Sequence, residues 1–330
     1  MTAPARSLLR RRFCQVLSAG AGSIALPSLA QNPWPNKPIR LVVPYPPGGF
    51  TDQMARLVQP GLQSRLGQAI LIDNKPGANS IIGVDAVAKS PADGYTFAVV
   101  IAAYAANTTL YPKLPYDPRR DLIGVAPMAS APLLAAVSNR APFKSVVELL
   151  GYARRNPGKI SFGSSGTGSA AHLTGELLKA VTKTYMVHIP YRGAAPALGD
   201  LIAGQIDLLF DGGAAVVNAG KAGQVQVIGV TSGQRLPLQP QIPTFIEQGV
   251  PGFTSSSWAA MLAPAGTPRE IVRRMSDEVT LILRSAESKA RLDAMVVFPS
   301  GGTPQDCDAF LAAETVKWGK VIREAGVTLE

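Results

Sequence analysis

The chain has 330 residues, 46% of them hydrophobic and 16% charged, with a formal net charge of +10 and two cysteines. That length suits two domains. A positive excess spread without Lys/Arg blocks does not resemble a nucleic-acid footprint, and no His/Cys/Asp/Glu cluster has metal spacing, so nucleic acid, metal and cofactor are all left out of the reading.

Residues 1–30 read as an export signal. Arg10, Arg11 and Arg12 precede an apolar stretch over 16–26, and Ser28-Leu29-Ala30 offers small residues for a signal peptidase. The Arg-Arg-x-Phe pattern fits a twin-arginine signal, and the general secretory route is the alternative. Cleavage near Ala30 leaves 300 residues and, with four arginines gone, a net charge of +6. No later apolar run is long enough to span a bilayer. The remaining cysteine, Cys307, has no intramolecular partner, so no disulfide holds the fold.

Residues 39–43 form a β-branched run, and Pro44, Pro46 and Pro47 forbid a helix after it. Gly48 and Gly49 let a ligand approach the backbone, Thr51 is placed to cap a helix, and the apolar residues Met54, Leu57, Val58, Leu62 and Leu66 give that helix its buried face. Strand, Gly-rich loop and helix start together make an anion cradle. Tyr45 and Phe50 are candidate walls of the pocket, competing with core packing; Asp52 is expected to brace the helix. Strand 69–73, a turn at 74–77, helix 82–89 and strand 95–102 continue a β-α-β-α-β series, which argues for a parallel sheet with ligands beyond its carboxyl edge. Ala103 and Tyr104 emerge at that edge as a ligand-facing loop or a plain helix start.

A proline-punctuated connection over 110–118 leads to an apolar strand pair around 124–128 and 133–137, where the first crossing between domains is expected. A second series follows: helix 145–156, strand 160–163, helix 169–181, strand 186–189, helix 194–203, strand 206–210, a helix near 215–222 and strand 225–230. The return crossing is expected at 255–262. Thr267-Pro268 and Thr303-Pro304 signal the starts of the last two helices. The expected organisation is a signal at 1–30, a first domain from 31–130 and 257–330, and a second domain from 131–256, hinged as a clamshell.

Residues 162–169 repeat the opening logic, with Ser164, Ser165, Thr167 and Ser169 adding hydroxyls and Gly168 a backbone donor. The Gly166-x-Gly168-x-x-Ala171 match to a dinucleotide fingerprint lacks the acid that should follow, and the Gly-x-Ser-x-Gly elbow lacks its last glycine. At the ends of the next strands, Tyr191, Arg192 and Gly193 reach the same edge, Arg192 either holding a carboxylate bidentately or facing solvent. Asp211 either accepts from a ligand or caps the turn at Gly212.

These residues resemble the tripartite tricarboxylate transporter substrate-binding family, the Bug receptors. The resemblance is carried by Trp34-Pro35-Asn36-Lys37-Pro38, Pro46-Pro47-Gly48-Gly49-x-Thr51-Asp52, Asp73-Asn74-Lys75-Pro76-Gly77-Ala78, Ala92-Asp93-Gly94-Tyr95-Thr96, Leu114-Pro115-Tyr116-Asp117, Phe162-Gly163-Ser164, Pro190-Tyr191-Arg192-Gly193 and Ala263-Pro264-Ala265-Gly266-Thr267-Pro268 with Trp258. The chain departs at Asn79-Ser80, where the family usually has two glycines. The resemblance implies a periplasmic, monomeric Venus flytrap of two mostly parallel α/β domains, a non-enzyme that closes on a small carboxylate. The ligand, a di- or tricarboxylate, amino acid or aromatic acid, is then delivered to membrane transporter subunits or reported to a sensor kinase. It also implies that residues 45–51 and 164–169 hold the ligand through backbone groups and water. The rival is an exported hydrolase or transferase using Ser164 or Ser165 with His172.

Overall fold

The computed structural model describes residues 34–328, so the export signal lies outside the described residues. The chain divides into Met1–Asn36 and Lys37–Glu330, and both sheets belong to the second unit. In chain order the first lobe begins with β1 (Ile39–Val43), α1 (Phe50–Leu66), β2 (Ile70–Asn74), a 3-10 turn (Ala78–Ser80), α2 (Ile81–Ala88), β3 (Thr96–Ile101), α3 (Ala102–Leu110) and β4 (Leu122–Pro132). The second lobe holds β5 (Leu134–Ser138), α4 (Val146–Arg155), β6 (Ser161–Ser164), α5 (Ala170–Thr182), β7 (Val187–Pro190), α6 (Ala194–Ala203), β8 (Leu208–Asp211), α7 (Ala214–Lys221) and β9 (Val225–Val230). The chain returns through β10 (Ser256–Pro264), α8 (Arg269–Leu283), α9 (Ala286–Ala294), β11 (Phe298–Pro299) and α10 (Pro304–Ala325).

The first sheet runs β11-β4-β10-β3-β1-β2 and the second β7-β6-β8-β5-β9. Strands of each β-α-β series pair in parallel: β1 with β2 and β3, and β6 with β7 and β8. Strands that carry the chain in or out pair antiparallel: β10 with β3 and β4, and β5 with β8 and β9. Both sheets are therefore mixed. The stretches expected to pair around 124–128 and 133–137 do not pair with each other; β4 ends in the first sheet and β5 starts in the second. Apolar run length identifies a buried strand but carries no label for its partner.

At the crossing a single buried threonine joins both passages. Thr231, just after β9, donates its N–H to the Leu133 carbonyl at 2.9 Å, while its hydroxyl accepts from Leu133 N–H at 2.8 Å and donates to the Ser255 carbonyl at 2.6 Å. Ser255 N–H returns to the Thr231 carbonyl at 2.9 Å, and the Ser255 hydroxyl lies 2.5 Å from that of Thr174 on α5. The excursion between residues 231 and 255 packs Phe245, Val250 and Phe253 into the second lobe's core. Helix α5 joins the lobes: Leu173 enters the first core, Ala171 and Leu178 the second, and Ala170 and Leu177 touch both.

The final helix is held by a half-buried carboxylate. Glu314 Oε2 accepts from the indole N–H groups of Trp258 on β10 and Trp318 on α10, each at 2.7 Å. Thr303 caps α10 in a reciprocal box with Asp306. The same signal fails at α8, where Thr267 turns its hydroxyl back to the Pro264 carbonyl at 2.8 Å and Pro268 becomes the uncapped N-cap. Among the described residues no helix is long and apolar enough to cross a membrane.

Replacing Thr231 with valine keeps the shape but strands Leu133 N–H and the Ser255 carbonyl in a dry site, at a cost of about 2–4 kcal/mol. Urea unfolding should show that loss; a change under about 0.5 kcal/mol would contradict the shared role of this hydroxyl.

Candidate functional site

The carboxyl ends of β1, β2 and β3 release residues 44–49, residues 75–80 and α3 at one edge of the first sheet. The first of these loops is shaped from behind by Asp52. Its Oδ2 accepts from Gly48 N–H at 2.9 Å and Arg56 Nε at 2.7 Å, and its Oδ1 accepts from Asn74 Nδ2 at 3.1 Å. The Arg56 bond, working against burial and helped by Gly48 and Asn74, holds this carboxyl at about 2. Asn74 Nδ2 also donates to the Tyr45 carbonyl at 3.0 Å.

Helix α1 starts two residues earlier than expected: Gly49 is the N-cap without a side-chain bond, and Thr51 is buried in the first turn instead of capping it. Gly48 N–H is spent on Asp52. The N–H groups of Gly49, Phe50 and Thr51 belong to the first turn, where no preceding helical carbonyl accepts them. Pro46, Pro47, Gly48 and Gly49 are exposed and Phe50 is half-buried.

Two expected wall residues turn inward. Tyr45 buries its hydroxyl beside Ser80, and burial raises it well above 10. Tyr104 is buried in α3 and donates its hydroxyl to the Pro118 carbonyl at 3.0 Å. Ala103 is likewise buried inside that helix rather than exposed on a loop. Tyr104 instead lines a groove of about 870 Å³ with Tyr111, Tyr116, Leu122 and Leu311, and no residue of either Gly-rich loop borders it.

In the second lobe, β6, β7 and β8 are neighbours, so the loops after Ser164, Pro190 and Asp211 share one sheet edge. Here too the loop is held from behind. Ser164 is fully buried, with its hydroxyl 2.6 Å from His188 Nε2 and bonded to both N–H and carbonyl of Gly166 at 3.1 Å. Gly168 N–H donates to His172 Nδ1 at 3.0 Å, and Ser169 caps α5 by accepting from His172 N–H at 3.3 Å. The expected ligand roles of Ser164, Gly168 N–H and the Ser169 hydroxyl are thus taken up inside the loop. Ser165 is exposed and Thr167 half-buried.

For Ser164 the hydrolase pairing fails on the same geometry. Ser164 meets His188, not His172, and has no exposed surface for a substrate. The two imidazoles stack at 3.8 Å with an interplanar angle of 12°, and Phe162 flanks both. Because His172 Nδ1 accepts, its proton sits on Nε2, 3.8 Å from Glu176 Oε1; Lys179 Nζ holds that oxygen at 2.8 Å. Burial, then His188 and Lys179, depress His172 to about 3. Burial and then Lys179 depress His188 to about 4.

Tyr191 is half-buried and donates its hydroxyl to Asp200 Oδ2 at 2.7 Å; burial and then this acceptor push it up to about 12. Arg192 beside it is exposed and makes no ion pair among the described residues. Gly193, at φ 122°, is the N-cap of α6. Asp211, half-buried at the end of β8, is pushed up to about 6 by burial, against a bond from Gly212 N–H.

Residues 77–80 are the feature that sequence reasoning missed. Gly77, Ala78, Asn79 and Ser80 take φ values of 134°, 45°, 50° and 81° in succession. Left-handed backbone costs an L-residue about 1–2 kcal/mol, and the fully buried Asn107 on α3 offsets it. Asn107 Nδ2 donates to the Asn79 carbonyl at 2.7 Å, and its Oδ1 accepts from Asn79 Nδ2 at 2.9 Å. The signals in the sequence are the Pro-Gly start of the turn and Asn79, a residue type that tolerates left-handed backbone.

The two histidines set a pH dependence. Both carry folded-state values below the ordinary 6.5, so between about pH 4 and 6.5 the unfolded chain binds more protons and stability rises with pH. Asp211 pulls the opposite way between 3.8 and about 6. Two imidazoles against one carboxyl leave a net loss on acidification. The melting temperature should be level above about pH 7 and fall between about pH 6 and 4; a level profile across that window would contradict the neutral stack.

Comparison with known proteins agrees with this geometry. The family model described as "Tripartite tricarboxylate transporter family receptor" matches residues 54–327. BugT of Bordetella pertussis is 34% identical over 317 residues, covering 96% of this chain and 97% of that protein. The solved structure of Rpa4515 from R. palustris with adipate is 38% identical with a TM-score of 0.80, covering 89% of this chain and 99% of that one. MatC from Rhodopseudomonas palustris with bound malate is 30% identical with a TM-score of 0.77, covering 88% and 100%. These neighbours are solute-binding receptors rather than enzymes, and the two-lobed α/β fold is theirs. With a family match running from the second turn of α1 to just past the end of α10, the chain belongs to the tripartite tricarboxylate transporter receptor family.

Proposed function

We infer that the protein captures a small dicarboxylate between its two Gly-rich edges, in the periplasm, and delivers it to a membrane transporter of the tripartite tricarboxylate type. The lobes are taken as residues 31–130 with 257–330, and residues 131–256, closing as a monomer on the ligand.

The observation that carries this reading is the supply of unspent donors. First-turn N–H groups at Gly49, Phe50 and Thr51 lie on the first edge, and the exposed guanidinium of Arg192 lies on the second. Helix N-termini and guanidinium groups favour anions. The acid nearest the first loop, Asp52, is already neutralised by Arg56. Ser165 and Thr167 add hydroxyls at the second edge. Asp211, titrating near 6, can accept from a ligand hydroxyl or share a proton with a second carboxyl. Adipate and malate, the acids bound by the two structural neighbours, supply the panel's natural starting points.

Calorimetry with adipate, malate and their neutral amide analogues tests the proposal. Saturable one-to-one binding of at least one dicarboxylate and none of its diamide is expected. Arg192→Ala should weaken it by about tenfold or more, the worth of one charge-assisted bond. No binding by any dicarboxylate, or an affinity unchanged in Arg192→Ala, would count against this assignment.

A further inference from the structure

The second Gly-rich loop touches the first lobe at Gly168. A Cβ placed on Gly168 would lie 2.9 Å from Leu110 Cδ1 and 3.0 Å from Asn79 Nδ2. The loop therefore nests its bare backbone against the end of α3 and against the left-handed turn. Asn79 reaches that spot only because its own φ is 50°, in the run of positive φ angles from Gly77 to Ser80.

The turn is clamped on both sides. Asn107 holds it through the pair of bonds to the Asn79 carbonyl and side chain, and lies 3.5 Å from the Ser80 hydroxyl. Behind it, α2 is seated against the first ligand loop: a Cβ on Gly83 would fall 2.7 Å from Pro44 Cβ and 2.8 Å from the Lys75 carbonyl. The orientation of the amides follows from the bonding. Asn107 Nδ2 is committed to the Asn79 carbonyl, so its Oδ1 is the acceptor and Asn79 presents its nitrogen. One of the two N–H groups of Asn79 Nδ2 serves Asn107, and the same nitrogen abuts Gly168.

We propose that Asn79 is a positioning residue of the binding cleft: clamped by Asn107, it braces the second Gly-rich loop at Gly168 and so sets the affinity of the closed cleft for a carboxylate. The brace follows from the contact alone; its effect on affinity rests on the proposed function. Asn79→Gly is the informative variant because glycine tolerates φ 50° and keeps the carbonyl that Asn107 Nδ2 holds, while losing the side-chain half of the clamp and the contact at Gly168.

Hydrogen exchange of the ligand-free protein separates a brace from a locally structural role. In Asn79→Gly the amides of residues 163–172, in the other lobe, should exchange about threefold faster or more, together with those of 74–84. Faster exchange confined to 74–84 would overturn the brace. If Asn79→Gly does not give a cooperative melt, Asn79→Asp serves in the same assay, since it keeps the turn but sets a carboxylate oxygen against Asn107 Oδ1. Calorimetry with adipate is the second arm: the variant should bind about fivefold more weakly or worse than the parent, and equal affinities would overturn the effect on binding. Adipate binding to neither protein would count against the proposed function, while the exchange arm would still decide the brace.

Discussion

Everything in the second unit hangs on the double passage of the chain between sheets, and that passage is closed by one hydroxyl. Thr231 joins Leu133 on the way out to Ser255 on the way back, at zero exposure. A hydroxyl that accepts and donates in the same dry place has no water to fall back on, so both strands are fixed where they cross. The series β1-β2-β3 and β6-β7-β8 belong to the two sheets that this joint links.

The two loops solve one problem in two chemistries. Each keeps a Gly-rich backbone in a single shape while leaving some of its N–H groups free for the anion that the proposed function places there. In the first, a carboxylate behind the loop takes Gly48 N–H and is held charged by Arg56. In the second, a neutral imidazole takes Gly168 N–H and a serine takes Gly166 N–H, with His188 behind the serine. Burial keeps the stacked rings uncharged, and a charged ring at His172 would lose the acceptor that Gly168 requires. Ser164, the hydroxyl that meets an imidazole, is fully buried behind the loop.

Much of the architecture was legible because it is local. The helix 194–203 and the strand 225–230 coincide with their expected spans, since apolar period and flanking glycines suffice to bound them. The cap at Thr303 was legible from Thr303-Pro304, although the same pair at Thr267-Pro268 gives no side-chain cap. What was not legible is where a hydroxyl or ring points once the chain folds. Tyr45 and Tyr104 stand next to the expected ligand loops in sequence yet direct their hydroxyls toward Ser80 and Pro118. Ser164 and His188 are 24 residues apart, and Asn79 and Asn107 are 28 apart. No periodicity links such pairs, and the left-handed turn at Asn79 exists only because the distant partner supports it.

The central claim is that a carboxylate is held by the N–H groups the loops leave unspent, not by those they consume. Amide proton shifts on titrating adipate into isotopically labelled protein read this directly. The account predicts saturable downfield shifts at amides among Gly49, Phe50, Thr51 and Thr167, with Gly48 and Gly168 still bonded to Asp52 and His172. Saturable shifts confined to the groove beside Tyr111 and Leu311, or loss of the Gly48 and Gly168 bonds on binding, would contradict it.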